Sequence, residues 1–151
     1  MGMFMKLKKI LFSSMVLMCI SGCFVDVMRH ENEEALFGDG KQWRVYKFVL
    51  KDGREFTPMW EEAKSNMAFD ISEDKIFGVS VCNNYFASFK LRGKKLQISD
   101  SGASRRLCFS EGSGVYEFNF VRGLQGEFVV KRKGKQMELK SKNITYYLEM
   151  M

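Results

Sequence analysis

The clearest pattern in the chain is alternation. Between Tyr85 and Leu91, Tyr85, Ala87, Phe89 and Leu91 alternate with Phe86, Ser88 and Lys90, the period of two that puts successive side chains on opposite faces of a strand. Gln42–Leu50 (QWRVYKFVL) is rich in aromatic and β-branched residues and stops at Lys51-Asp52-Gly53, a hairpin signal. Thr57–Lys64 starts at Thr57-Pro58 and predicts an irregular or briefly helical stretch. Met67–Ile71 and Ile76–Val81 predict a hairpin around Ser72-Glu73-Asp74-Lys75, and Arg92-Gly93-Lys94-Lys95 turns the Tyr85 strand into Leu96–Ser99. A long glycine-containing loop, Asp100–Gly114, comes next. Val115–Leu124 then changes period: Tyr116, Phe120 and Leu124 recur every four residues, with Glu117 in the first turn, as in an amphipathic helix. Glu127–Lys133 and Gln136–Lys140 flank Gly134-Lys135, and Asn143–Met150 closes the chain as a strand.

Seven or eight mostly sequence-adjacent strands and one helix define an α+β class, mainly antiparallel β. The expected architecture is one curled sheet or barrel-like meander with one packed helix, occupying residues 41–151. The chain shows no internal repeat and no low-complexity tract.

The first residues follow a different logic. Lys6, Lys8 and Lys9 precede an apolar run from Ile10 to Ile20, too short to cross a hydrocarbon core of ~30 Å at ~1.5 Å per residue. Residues 1–22 are therefore expected to be an export signal. Ile20-Ser21-Gly22-Cys23 resembles a bacterial lipobox, which makes Cys23 the expected lipidation site and the membrane a partner through its acyl chains. Phe24 stands where an Asp would retain the protein at the inner membrane, so the expected location is the outer membrane, facing the periplasm. Residues 23–40 are charged, end in Gly38-Asp39-Gly40, and are expected to be a tether with a short helix around Glu31–Phe37.

Composition changes meaning once these segments are separated. The chain of 151 residues has a formal charge of +6. Three of its 24 basic residues and none of its 18 acidic ones lie in 1–22, so 21 face 18 in the remainder, a net +3. That balance does not suggest a nucleic-acid binder. The lone His30 falls in the expected tether, which leaves no Ser-His-Asp or His-assisted Cys chemistry in the domain. Asp70, Glu73 and Asp74 crowd one turn without calcium-loop spacing, and no metal or other cofactor is expected. Of four cysteines, Cys19 leaves with the signal and Cys23 is the lipidation site. Cys82 and Cys108, two thiols in an oxidising compartment, point to one disulfide. A redox-active pair is the rival reading, but it normally wants C-x-x-C spacing or a depressed thiol pKa.

Gly78-Val79-Ser80-Val81-Cys82-Asn83-Asn84-Tyr85-Phe86-Ala87-Ser88-Phe89 resembles the G-x-x-G-C-N-x-F-F-G-x-Y signature of the META domain, the small domain of the bacterial heat-shock protein J type. Ser104-Arg105-Arg106-Leu107-Cys108 resembles that family's T-[RK]-x-x-C element, and Glu117, Phe120 and Leu124 fit its E-x-x-F-x-x-x-L helix. Trp43 suits its Trp-containing first strand. Val81 and Ala87 stand where the family has Gly, and Ser104 where it has Thr. The resemblance implies a small exported β-rich domain with paired cysteines, linked to stress tolerance, secretion or motility and without an accepted catalytic activity.

Two readings stay open for each remaining motif residue. Asn83 either caps a turn or contacts a ligand. Arg105 and Arg106 either form an anion pocket with backbone N–H groups or serve as an ion-paired and a solvated cation. The expected function is a non-catalytic, monomeric envelope lipoprotein, not an enzyme, that binds an envelope protein or a small ligand. The alternative is a small β-barrel inhibitor of a lysozyme-like enzyme. A third reading, an envelope hydrolase, needs two convergent carboxylates.

Overall fold

A computed structural model describes Val25, residues 27–58 and residues 64–151. The expected export signal, Cys23 and residues 59–63 lie outside the described residues. In chain order the elements are α1 (residues 27–37), β1 Gln42–Leu50, β2 Glu55–Phe56, β3 Lys64–Asp70, β4 Lys75–Val81, β5 Asn83–Arg92, β6 Lys95–Ala103, α2 Ser113–Gly123, β7 Gly126–Lys133, β8 Gln136–Lys140 and β9 Ile144–Met150.

All neighbouring strands pair antiparallel. β9 returns to β1 along its length, from Trp43↔Met150 to Leu50↔Ile144, and closes β1 and β3–β9 into an eight-stranded barrel. The curled sheet expected from the alternation is thus fully closed, which removes free edges. β2 is the ninth strand. It pairs with the second half of β1, through Phe48↔Phe56, on the edge whose first half pairs with β3. Two residues carry no periodicity, so this strand left no pattern in the sequence.

Two bulges adjust the alternation. The β1–β9 register shifts between Val45 and Lys47, so Trp43, Val45 and then Phe48 all point inward. A second shift, between Phe86 and Ser88 of β5, accommodates one extra residue on β6 near Asp100, whose φ is +50°. That bulge carries β6 past Asp100, the expected start of the loop, to Ala103.

The barrel is filled by side chains and plugged at both ends. At the entry end, where β1 begins, α1 inserts Phe37 against Phe69 (stacked, 4.0 Å) and Phe89 (edge-on, 5.7 Å). Trp43 Nε1 donates to the Phe37 carbonyl at 2.8 Å, and the Arg132 guanidinium lies 5.2 Å over the Trp43 ring while donating to the Ala35 and Leu36 carbonyls. Gly38, at φ +68°, ends the helix and donates to the Glu34 carbonyl. Most of the expected tether is therefore a docked helix. Glu33 and Phe37, four residues apart, are both buried, and this pair outweighs the polar composition around it.

At the opposite, loop end, α2 covers the barrel with Tyr116, Phe120 and Leu124, the stripe expected from their spacing. Phe120 packs edge-on against Tyr85 and Tyr146, each 5.1 Å away. Tyr116 donates to Ser65 Oγ and Tyr146 to the Phe120 carbonyl. A Cβ on Gly123 would stand 2.6 Å from Ile144 Cδ1, so the glycine lets the helix settle against β9. Burial raises the Tyr116 phenol to about 12 and pushes Tyr85 and Tyr146 well above the usual tyrosine range.

Candidate functional site

The β4–β5 hairpin builds the site at the loop end. Ser80↔Asn83 is its last pair, leaving Val81 and Cys82 as a two-residue loop. Val81 has φ +71° and Cys82 is not among the positive-φ residues, a pattern that favours Gly at the first loop position. The family motif has Gly there, and this chain holds a β-branched residue in the same backbone conformation. Gly78, upstream, cannot be replaced: its Cβ would lie 2.1 Å from the Asn66 carbonyl oxygen.

The hairpin tip presents its polar groups to a buried carboxylate. Glu117, on α2, accepts from the backbone N–H of Asn83 (2.6 Å) and of Cys82 (3.2 Å), from Ser80 Oγ (3.2 Å) and from Asn83 Nδ2 (2.5 Å). Four donors on two oxygens satisfy a group whose burial would otherwise be costly. The same Asn83 reaches the long loop. Its Nδ2 donates to the Arg106 carbonyl (3.1 Å), and its Oδ1 accepts from the Arg106 N–H (2.7 Å) and Ser104 Oγ (2.8 Å). Cys82 and Cys108 are joined in a disulfide, with Cα atoms 6.1 Å apart. Glu117 Oε2 lies 3.1 Å from Cys108 Sγ and 3.6 Å from Cys82 Sγ.

The structure thus brings together four of the residues singled out from the sequence, Cys82, Asn83, Arg106 and Cys108, but holds them chiefly by one another. Asn83 has its amide donor and acceptor engaged inside the protein. Arg106 contributes its backbone, and the side chains of Arg105 and Arg106 are exposed, without an ion-pair partner among the described residues. Cys23 lies outside the described residues. Sequence reasoning missed Glu117 as the hub. Its place in the E-x-x-F-x-x-x-L pattern was the available signal, but a lone Glu in a first helical turn does not announce four partners.

Chemically, this is a staple. Cys82, Cys108 and Glu117 could converge on a metal only if the disulfide were open, since joined sulfurs offer no thiolate. Outside the staple, the surface is apolar. Leu107 and Phe109 flank Cys108 and are 83% and 96% exposed, and Val115 and Phe118 lie exposed on α2. Arg122 sits 5.6 Å over the Phe118 ring. A depression of about 600 Å³ beside them is lined by Lys51, Asn119, Arg122 and Asn143, with Asp52 its one carboxylate.

A closed, filled barrel with a long loop stapled across one end defines a small β-rich scaffold that presents a fixed surface. Residues 34–149 match the META domain, and the chain belongs to that family. Among solved structures it is similar to a protein from Burkholderia xenovorans, with 20% identity, a TM-score of 0.63, and 81% of this chain and 88% of that one covered. A second structure determined by NMR has 16% identity and a TM-score of 0.57, covering 78% of this chain and 92% of its own. These likenesses concern the fold. No curated protein matches the chain.

Proposed function

We propose that the protein is an envelope lipoprotein, acylated at Cys23 and exposed to the periplasm, whose META domain binds a partner protein without catalysing a reaction. The observation that carries this reading is the pair Leu107 and Phe109, held in solvent on either side of a disulfide-bonded cysteine. Large apolar side chains on a loop pinned at Cys108 suit recognition, because the pinning reduces the conformational entropy to be lost on binding. The entry end, with α1 leading back towards Cys23, is opposite this loop. An anchored molecule would therefore hold the loop away from its own membrane.

Arg105, Arg106 and Arg122 border the apolar surface. A basic target such as a common lysozyme would meet like charge there, so among the described residues this surface lacks the acidic patch that the inhibitor reading needs. Two measurements test the proposal. The mass of the amino-terminal peptide from the envelope fraction should show Cys23 carrying acyl chains, and Cys23→Ser should move the protein to the soluble fraction. A photo-reactive residue at Val115 should form one defined cross-linked product in intact cells. Substituting Leu107 and Phe109 together by Ser should abolish that product while changing stability by less than about 0.5 kcal/mol, as for other exposed positions. An unchanged product would overturn the binding reading.

A further inference from the structure

The sequence places basic residues at several hairpin turns, where each alone would keep a turn soluble. The topology brings two of those turns side by side. Arg92, Lys94 and Lys95 form the β5–β6 turn, and Lys131, Lys133 and Lys135 run through the end of β7 into the β7–β8 turn. β6 and β7 are neighbours, paired through Lys95↔Val129, and the Val130 N–H donates to the Lys94 carbonyl. All six side chains are exposed at the entry end of the barrel. Glu127, paired with Lys95 at 3.3 Å, and Glu138, opposite Lys131 in the register, lie on this wall, and Glu31 and Glu34 are exposed on α1 beside it. The acidic residues of the β3–β4 turn, Asp70, Glu73 and Asp74, lie at the same end on the other side of α1, and Asp74 is paired with Arg29.

The chain enters at this wall. Asn32 of α1 donates to the Gly93 carbonyl, in the centre of the β5–β6 turn. Upstream of it Val25, Val27 and Met28 are exposed, although apolar. Cys23 is two residues before Val25.

We propose that the β5–β8 wall at the entry end is a docking surface for the anionic headgroups of a phospholipid bilayer, with the exposed apolar start of α1 set at the boundary. Charge complementarity selects the occupant. Clustered lysine and arginine beside exposed apolar helix residues match a surface that is anionic outside and apolar beneath. The acidic β3–β4 turn makes the field one-sided, so the barrel would tilt with β5–β8 towards the lipid and Glu73 away. The proposal rests on the lipoprotein reading only for which membrane lies nearest, and it is testable without the acyl chains.

The test uses the full chain carrying Cys23→Ser and co-sedimentation with vesicles. Vesicles of phosphatidylcholine alone are compared with vesicles containing about one-third phosphatidylglycerol, each at low salt and at about 0.5 M NaCl, where screening shortens to a few ångströms. Phosphatidylglycerol should tighten binding about tenfold or more at low salt, and high salt should remove the gain. Changing Arg92, Lys94, Lys133 and Lys135 to Glu should abolish it. The same charge change at the loop end (Lys51, Lys64, Lys140 and Lys142 to Glu) should leave most of it. Circular dichroism checks that both variants fold, and the corresponding Gln set replaces either one that does not. No gain from phosphatidylglycerol, or equal loss in both variants, would overturn the proposal. Absence of acylation in the native chain would overturn the lipoprotein reading alone.

Discussion

At the scale of single residues, the family motif becomes a set of packing and hydrogen-bonding requirements. Gly78 makes room for the Asn66 backbone, Asn83 joins hairpin to loop, and Glu117 receives the hairpin tip. Val81 is the exception, since it meets the backbone conformation of its position without the residue that suits it. Left-handed backbone costs a β-branched residue about 1–2 kcal/mol, and glycine gives back about 0.5–1 kcal/mol through the freedom of the unfolded chain. Val81→Gly should therefore stabilise the protein, by on the order of 0.5 kcal/mol after its partial burial is lost. Val81→Ala, which keeps most of the strain and loses the packing, should destabilise it. Urea unfolding of the two variants gives opposite signs if the strain is present and the same sign if it is not.

At the scale of elements, legibility followed the length of each pattern. β5 is legible because alternation runs uninterrupted through it, β7 and β8 because Gly134-Lys135 marks the hairpin between them, and α2 because Tyr116, Phe120 and Leu124 share a face. α1 was largely obscured by its charge: Glu31, Glu34 and Asn32 face solvent, and only Glu33 and Phe37 reveal docking. Residues 104–112 are the element most dependent on covalent help, being held by Cys108, Asn83 and little else. The Cys82–Cys108 bridge encloses 27 residues of chain, for which the chain-entropy model gives about 3.5 kcal/mol. Replacing both cysteines by Ala should lower stability by roughly that amount, a large share of the ~5–15 kcal/mol typical of a domain. Amide hydrogen exchange should then lose protection first in 104–112 while the β1–β9 ladder keeps its own. Uniform loss across the barrel would show that the bridge supports the whole fold and not the loop.

The molecule as a whole has a sealed interior, and its tyrosines report on the seal. Tyr85, Tyr116 and Tyr146 meet around Phe120, and burial raises the pKa of each. Folding therefore favours their neutral forms. The stability this represents is complete below the unfolded value near 10 and is lost as pH rises through the folded values, about 12 for Tyr116. A two-unit rise corresponds to roughly 3 kcal/mol at high pH. Between pH 10 and 12 the tyrosinate absorbance of these three residues should appear together with loss of near-ultraviolet circular dichroism. Ionisation that precedes unfolding would mean the barrel end beneath α2 is open to water.

Closure through β1 and β9 also has a consequence for timing. Trp43 must find Met150, and Leu50 must find Ile144, across most of the chain. Until β9 is synthesised, β1 and β8 each present an unsatisfied edge, and such distant pairings form slowly. A nascent chain would thus complete its barrel only once β9 is available to pair with β1. On the export route proposed above, this order would leave the barrel open, and the chain threadable, until β9 has been made.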